Sequence, residues 1–195
     1  MMVQGVRLFF SLLGLIASGA VSAHVGVHPD GGFAAGLAHP FMGLDHLLAM
    51  VAVGMWAAQR GGRYLLLLPA TFVATMAAGA VAGTFGLPLP QVEGMVALSV
   101  LVLGLLVALA LNTRWVWPVS LVALFALFHG HAHGTEMPEM SAPWLYFAGF
   151  TIATAALHAI GVAAGVALNT RAGILRAGGA AIGLAGSWLL FAALA

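Results

Sequence analysis

The segment HPFMGLDHLLAM (residues 39–50) places two imidazoles and a carboxylate inside a run of apolar residues. The rest of the chain avoids charge: of 195 residues, 63% are hydrophobic and only 6% are charged. A soluble domain carries about 25% charged residues, so this chain cannot cover a water-facing surface. We therefore expect an all-α, polytopic membrane protein, because long apolar runs are typical of membrane-spanning helices.

Six apolar segments follow the first 32 residues, each close to the roughly 20 residues that cross a bilayer as a helix. They are 33–58, 64–86, 93–112, 115–132, 143–168 and 172–194. The arginines of this region lie in or near alternate loops, at Arg60, Arg63, Arg114, Arg171 and Arg176. Arginine-bearing loops stay in the cytoplasm, so both ends of the mature chain are expected to lie outside.

Residues 1–23 are predicted to form a cleavable signal peptide. Arg7 precedes the apolar run LFFSLLGLIA, and the small residues VSA end the segment at Ala23. An uncleaved first transmembrane helix is the alternative. With cleavage, residues 24–195 form one six-helix transmembrane domain that begins at His24, whose amine and imidazole can chelate one ion. His28 lies four residues further on.

Three features of the composition exclude whole classes of function. The chain has no cysteine, which excludes disulfides and thiolate metal sites. It has no lysine, which excludes a GxxxxGK[ST] phosphate loop, so no ATP binding of that kind is expected. The formal net charge of +1 provides no basic patch for nucleic acid.

The segment 39–50 is interpreted first as one face of a helix. At about 100° per residue, a stripe of nitrogen and thioether groups forms from His39, Met42, His46 and Met50. Asp45 projects away from this stripe and is expected to hold an imidazole in one tautomer from behind. Ionisable groups inside a membrane are costly and usually functional. A polar cluster that only locks helix packing is the alternative.

Two neighbouring residues affect the local backbone. Pro40 suits the first turn of a helix, so residues 33–38 are expected to form a separate lead-in piece. Gly43 leaves space beside the histidines for a ligand or for a neighbouring backbone.

A second cluster occurs in FHGHAHGTEMPE (residues 128–139). If this segment is helical, His129, His133 and Glu136 share one face. If it is extended, His129, His131 and His133 share one face. Both conformations offer three metal ligands, and a histidine-rich exposed loop is the remaining alternative.

His158 stands alone in the apolar run ATAALHAIGVAAG. It is either a hydrogen-bonded core residue or a deep ligand. Together the candidate ligands are expected at successive depths from the outer surface to the middle of the membrane, whereas the inner ends of the segments carry arginines. Imidazole with some carboxylate and no thiolate suits Ni²⁺, Co²⁺, Cu²⁺ or Zn²⁺ rather than Mg²⁺ or Ca²⁺.

HPFMGLDHLLAM together with FHGHAHGTE resembles the HupE/UreJ family of bacterial membrane proteins, and the resemblance spans essentially the whole chain. That family is associated with nickel uptake for the maturation of nickel–iron hydrogenase and urease. The resemblance implies a nickel permease of the bacterial cytoplasmic membrane rather than an enzyme. It implies no tightly bound cofactor, with Ni²⁺ as the transported ion and Co²⁺ as the alternative. The matching motif residues are His39, Asp45, His46, His129, His133 and Glu136, and His131 lies between motif positions.

The resulting hypothesis is inward facilitated diffusion of a divalent cation past His46 and His158. The expected partners are membrane lipid and the ion, and the formation of a homo-oligomer is left open. One competing hypothesis is an intramembrane zinc-dependent hydrolase that uses three histidines and an acid, although the chain contains no HExxH motif. Another is a subunit that binds metal for sensing or storage and never conducts it.

Overall fold

A computed structural model describes residues 32–111, 114–137 and 143–195 of the chain. The described elements are α1 (Phe33–Met42), α2 (Leu44–Arg60), α3 (Tyr64–Thr84), α4 (Val92–Leu109), α5 (Val116–Thr135), α6 (Pro143–Ala167), a 3₁₀ turn (Asn169–Arg171) and α7 (Ala172–Leu194). These elements confirm the all-α class. The predicted signal peptide, His24 and His28 lie outside the described residues.

By length and composition, five helices of the described chain could cross a membrane, and α1 with α2 could make a sixth span. Four exposed tryptophans lie near the ends of these helices: Trp115, Trp117, Trp144 and Trp188. Tryptophan is enriched where a membrane helix meets the headgroup region. The apolar helices and these side chains are those of a polytopic membrane protein.

The two ends of the helix bundle differ in chemistry. At one end, Gln59 Nε2 of α2 donates a hydrogen bond of 2.9 Å to the carbonyl of Val107, and Arg176 Nε of α7 donates one of 2.7 Å to the carbonyl of Ala108. We call this the arginine end, since Arg60, Arg63, Arg114, Arg171 and Arg176 lie there. The opposite end, where α2 begins and α5 ends, is called the histidine end.

The first apolar segment is broken, so the single helix face predicted for residues 39–50 is wrong. Helices α1 and α2 meet at an angle of 83°. The break lies at Gly43, whose extended backbone (φ −92°, ψ 116°) cannot continue a helix. Pro40 lies near the end of α1 rather than at the start of a helix. The predicted separate piece therefore exists but extends four residues further, to Met42.

Glycines set the spacing of the closely packed helix pairs, which are α3 with α5, α4 with α7, and α2 and α1 with α6. A Cβ atom on Gly79 of α3 would overlap the carbonyl oxygen of Leu127, and one on Gly130 of α5 would overlap that of Met76. Cβ atoms on Gly54 of α2 and on Gly161 of α6 would likewise overlap a backbone carbonyl oxygen of the other helix. Small residues let helix backbones approach closely in lipid, so these contacts draw the histidine-bearing helices together.

We expect Gly79→Ala to destabilise the protein, because the added methyl group would force α3 away from α5. Overpacking of this kind costs about 1–3 kcal/mol. The thermal unfolding midpoint of the purified protein in detergent micelles should fall by several degrees. Gly173→Ala is the matched control, since nothing lies within 4 Å of a Cβ atom there. Equal midpoints for the two variants would contradict this account of the packing.

Candidate metal-binding site

Four histidines from three helices meet at the histidine end and form what we call the histidine cluster: His39, His46, His129 and His133. The ring centroids of His133 lie 4.7 Å from His39 and 4.2 Å from His46. The centroids of His46 and His129 lie 4.7 Å apart. The two sequence motifs therefore form one continuous row of imidazoles, in the order His39, His133, His46, His129.

The row passes from the surface into the protein. The side chain of His39 is 31% exposed and that of His46 is 10% exposed, whereas His133 and His129 are fully buried. The bend at Gly43 makes this possible, because it folds α1 back over α6 and places His39 beside Tyr146 at a centroid distance of 5.8 Å. His39 and His46 thus meet through tertiary folding and not along one helix face.

Asp45 fixes the orientation of His46. Its Oδ1 atom accepts hydrogen bonds from His46 Nδ1 (2.6 Å) and from the backbone N–H of the same residue (2.7 Å). A carboxylate can only accept, so Nδ1 carries a proton, and in the neutral imidazole Nε2 then keeps its lone pair. That buried Nε2 has no hydrogen-bond partner among the described residues. This is the arrangement in which a carboxylate orients a metal-binding histidine from behind.

Gly43 makes room for the Asp45–His46 pair. A Cβ atom at this position would lie 2.8 Å from Asp45 Oδ1 and 3.0 Å from His46 Nδ1. The backbone of Gly43 is one that any residue adopts, so the space beside it, rather than its conformation, requires glycine. The space predicted beside the histidines is therefore filled by the pair itself.

Both ring nitrogens of His133 are buried without a hydrogen-bond partner in the described chain, and the same holds for His158. Nδ1 of His129 is in the same condition. Buried polar atoms nearly always have a partner, because burying one without a partner is costly. Unpartnered imidazole nitrogens in neighbouring rings are the donors that a divalent transition metal would use.

At the open end of the row, His39, His133 and Glu136 each place one ligand atom within 4.8 Å of the others. His39 Nε2 lies 3.9 Å from Glu136 Oε2. Burial, together with the negative charge of Glu93, raises the pKa of Glu136 above its ordinary value. Two carboxylates therefore act on this mouth, and their mutual repulsion favours a cation between them.

His158 lies deeper than the cluster, on α6, and is 1% exposed. The ring of Phe72 separates it from the cluster, with centroids 4.9 Å from His158 and 5.5 Å from His129. One turn nearer the mouth, Thr154 Oγ1 lies 3.8 Å from Met76 Sδ. His158 thus continues the line of the row, and among the described residues its ring contacts Phe72 and none of the four clustered histidines.

Two predicted ligands lie apart from the cluster. The segment 128–135 is helical, so His131 projects from a different face of α5 than His129 and His133, and its Nε2 lies 2.7 Å from the carbonyl oxygen of Leu87. Met42 is 81% exposed, because the bend at Gly43 turns it away from the stripe predicted by a continuous helix.

Sequence reasoning missed Ser99, whose Oγ lies 2.8 Å from His129 Nε2. Its only signal is that a hydroxyl interrupts the apolar run VALSVLVLG. It also missed the aromatic wall: Phe150 lies 4.0 Å from the His133 centroid, and Phe72 adjoins His129. Aromatic residues are common in apolar helices, so no pattern in one sequence marks these two.

With this geometry established, comparison with known proteins identifies the family. The HupE / UreJ protein family matches residues 12–189. The chain belongs to the HupE / UreJ family. A curated relative, Protein HupE of Rhizobium leguminosarum bv. viciae, is 46% identical over 182 residues, which cover 92% of this chain and 95% of that protein. No solved structure matches the chain. The protein is thus a multi-span membrane protein of a bacterial HupE / UreJ family, as the resemblance of its motifs predicted.

We expect Gly43→Ala to weaken metal binding without unfolding the protein, because the methyl group would displace Asp45 or His46 from their hydrogen bond. Loss of such an orienting partner typically costs about 10–100-fold in metal affinity. The measurement is a titration of purified protein with Ni²⁺. Gly94→Ala is the control, since its Cβ would make only ordinary contacts, at 3.5 Å or more. Equal affinities in the two variants would contradict the role assigned to this space.

Proposed function

We propose that this protein is a facilitative transporter that carries a divalent transition-metal ion inward across the bacterial cytoplasmic membrane, with Ni²⁺ as the cargo. One observation carries the proposal: a row of imidazoles runs from a half-exposed mouth into the helix bundle and presents buried nitrogens that have no hydrogen-bond partner within the described part of the chain. Such a row has little use as packing, because each unpartnered polar atom opposes burial.

Capture would occur at the mouth formed by His39 and Glu136, beside Glu93. In our proposal this end faces outward, because the arginines gather at the opposite end and arginine-rich loops stay in the cytoplasm. A signal peptide cleaved after Ala23 would place His24 and His28 on the same outer side. The carboxylates attract the hydrated cation, and the imidazoles replace part of its water.

Passage through the row suits transit rather than storage. A conducting site must bind well enough to admit the ion and weakly enough to release it. The four clustered imidazoles follow one another in a row and do not converge on one point, which suits a chain of partial sites. Asp45 places a negative charge beside His46, where loss of the ion's water is most costly. Beyond Phe72, His158 would take the ion towards the arginine end.

The driving force would be the concentration gradient and the membrane potential. Moving one charge through 100 mV is worth about 2.3 kcal/mol, so a divalent ion gains about 4.6 kcal/mol for the same potential. The absence of lysine excludes a lysine-containing phosphate loop in this chain, which fits a passive mechanism.

The choice of Ni²⁺ rests on two arguments. Nitrogen and carboxylate donors without thiolates suit Ni²⁺, Co²⁺, Cu²⁺ and Zn²⁺. Within that group, nickel is the metal implied by the resemblance to the HupE/UreJ family and its association with hydrogenase and urease maturation. Co²⁺ is the next candidate, since its coordination preferences lie close to those of Ni²⁺.

We expect His46→Ala to reduce radioactive nickel uptake into proteoliposomes by at least about tenfold, the lower end of losses seen when a metal site is disturbed. His131→Ala should leave uptake within twofold of the unaltered protein, because that imidazole faces Leu87 instead of the row. Equal losses in the two variants would mean that the pathway is misassigned. Tight, non-exchanging Zn²⁺ without any flux would favour the hydrolase or storage hypotheses instead.

Uptake should rise with an inside-negative potential, because carrying a divalent ion moves net charge across the membrane. Uptake should not respond to ATP, because the proposed mechanism is passive. A potassium diffusion potential imposed with valinomycin tests this in the same proteoliposomes. Vesicles without protein measure leakage. Flux that is independent of potential, or that requires ATP, would contradict the facilitative mechanism.

A further inference from the structure

Ser99 is a buried hydroxyl in the middle of α4, with no exposed surface. Its Oγ lies 2.6 Å from the carbonyl oxygen of Val96 in its own helix and 2.8 Å from His129 Nε2 in α5. Ser99 therefore joins α4 to the histidine row through a side-chain contact. The motifs of the sequence do not include it.

The protons of this contact can be counted. A hydroxyl carries one hydrogen and a carbonyl can only accept, so the Ser99 hydrogen goes to Val96. Oγ must then accept the hydrogen bond from His129, which means that Nε2 of His129 carries a proton. A neutral imidazole has only one N–H, so Nδ1 of His129 keeps its lone pair. That atom is buried and has no hydrogen-bond partner among the residues that the structure describes.

We propose that Ser99 is a positioning residue that holds His129 in the Nε2–H tautomer, so that its Nδ1 atom is available as a donor to a divalent transition-metal ion. The proposal adds to the proposed transport function, and only its expected effect on metal flux rests on that function. The tautomer itself follows from the hydrogen bonds. Without Ser99, His129 could also adopt the other neutral tautomer, in which Nε2 keeps the lone pair. Nδ1 would then carry the proton and could not bind metal.

The two innermost rings of the cluster are thereby held through opposite nitrogens. Asp45 holds Nδ1 of His46 and leaves Nε2, whereas Ser99 holds Nε2 of His129 and leaves Nδ1. The partners also differ in charge. A carboxylate behind a histidine raises its basicity as a ligand, and a neutral hydroxyl does so less. A divalent ion would therefore be bound more tightly at His46 than at His129.

The first experiment measures the tautomer directly. Protein labelled with ¹⁵N-histidine in detergent micelles, without metal, gives separate nitrogen signals for protonated and unprotonated ring atoms, and His129→Asn identifies the signals of His129. We expect Nε2 to be protonated in the unaltered protein and in Ser99→Thr, which keeps the hydroxyl. Ser99→Ala should give a mixture of both tautomers.

The second experiment measures nickel uptake into proteoliposomes over a range of Ni²⁺ concentrations. Ser99→Ala should raise KM for Ni²⁺ by about 10-fold, the lower end of the effect of removing a partner of a metal-binding histidine. Ser99→Thr should restore KM to within about threefold of the unaltered value. Ser187→Ala is the matched control, because Ser187 makes the same kind of hydrogen bond, to the carbonyl of Gly183 at 3.0 Å, on a helix that carries no histidine. Thermal midpoints of all variants show whether any loss comes from unfolding.

A protonated Nδ1 on His129 in the unaltered protein would overturn the proposal. So would an unchanged tautomer in Ser99→Ala, or a KM for that variant equal to the KM of Ser187→Ala. If the unaltered protein moved no metal, the proposed function would fail, and the nitrogen-15 measurement would still decide the positioning role of Ser99.

Discussion

The cost of burying an imidazole nitrogen without a hydrogen-bond partner is the constraint that organises this protein. A buried polar atom without a hydrogen-bond partner opposes folding. Among the residues that the structure describes, His133 and His158 are nevertheless buried with both nitrogens unpartnered, and His46, His129 and His131 each with one. Such atoms persist only where the surrounding packing is strong enough to hold them. The resulting donors are available to a cation that carries its own attraction for nitrogen.

The packing that holds them comes from glycines. In α2, α3, α5 and α6, glycines lie where a side chain would overlap the backbone of the facing helix. Close approach maximises dispersion contacts, which replace the hydrophobic effect as the force between helices in lipid. It also sets the ring-to-ring spacing of the cluster, since His129 and His133 flank Gly130 on α5 and His158 lies one turn from Gly161 on α6. The residues that tighten the bundle therefore also set the dimensions of the site.

Orientation of the rings depends on a second set of residues, which bond the histidines from the side. Asp45 and Ser99 each bond one nitrogen of a histidine and leave the other, and Gly43 provides the space for the first of these pairs. Charged groups of opposite sign lie at opposite ends of the bundle, so its two ends are chemically distinct. Carboxylates surround the mouth at the histidine end, and guanidinium groups lie at the other end, where Gln59 and Arg176 bond the last carbonyls of α4.

The sequence by itself determined the all-α class, the positions of five of the helices and the two motifs that supply the cluster. These features are local: apolar length decides whether a segment can cross a bilayer, and ionisable residues stand out in an apolar run. Only the tertiary structure decided that the chain bends at Gly43, between α1 and α2. It also decided that Met42 and His131 lie apart from the row and that Ser99 contacts it. The reason is physical. A helical wheel assumes an unbroken axis, and a contact between α4 and α5 depends on how two helices pack, which residue spacing along one chain does not encode.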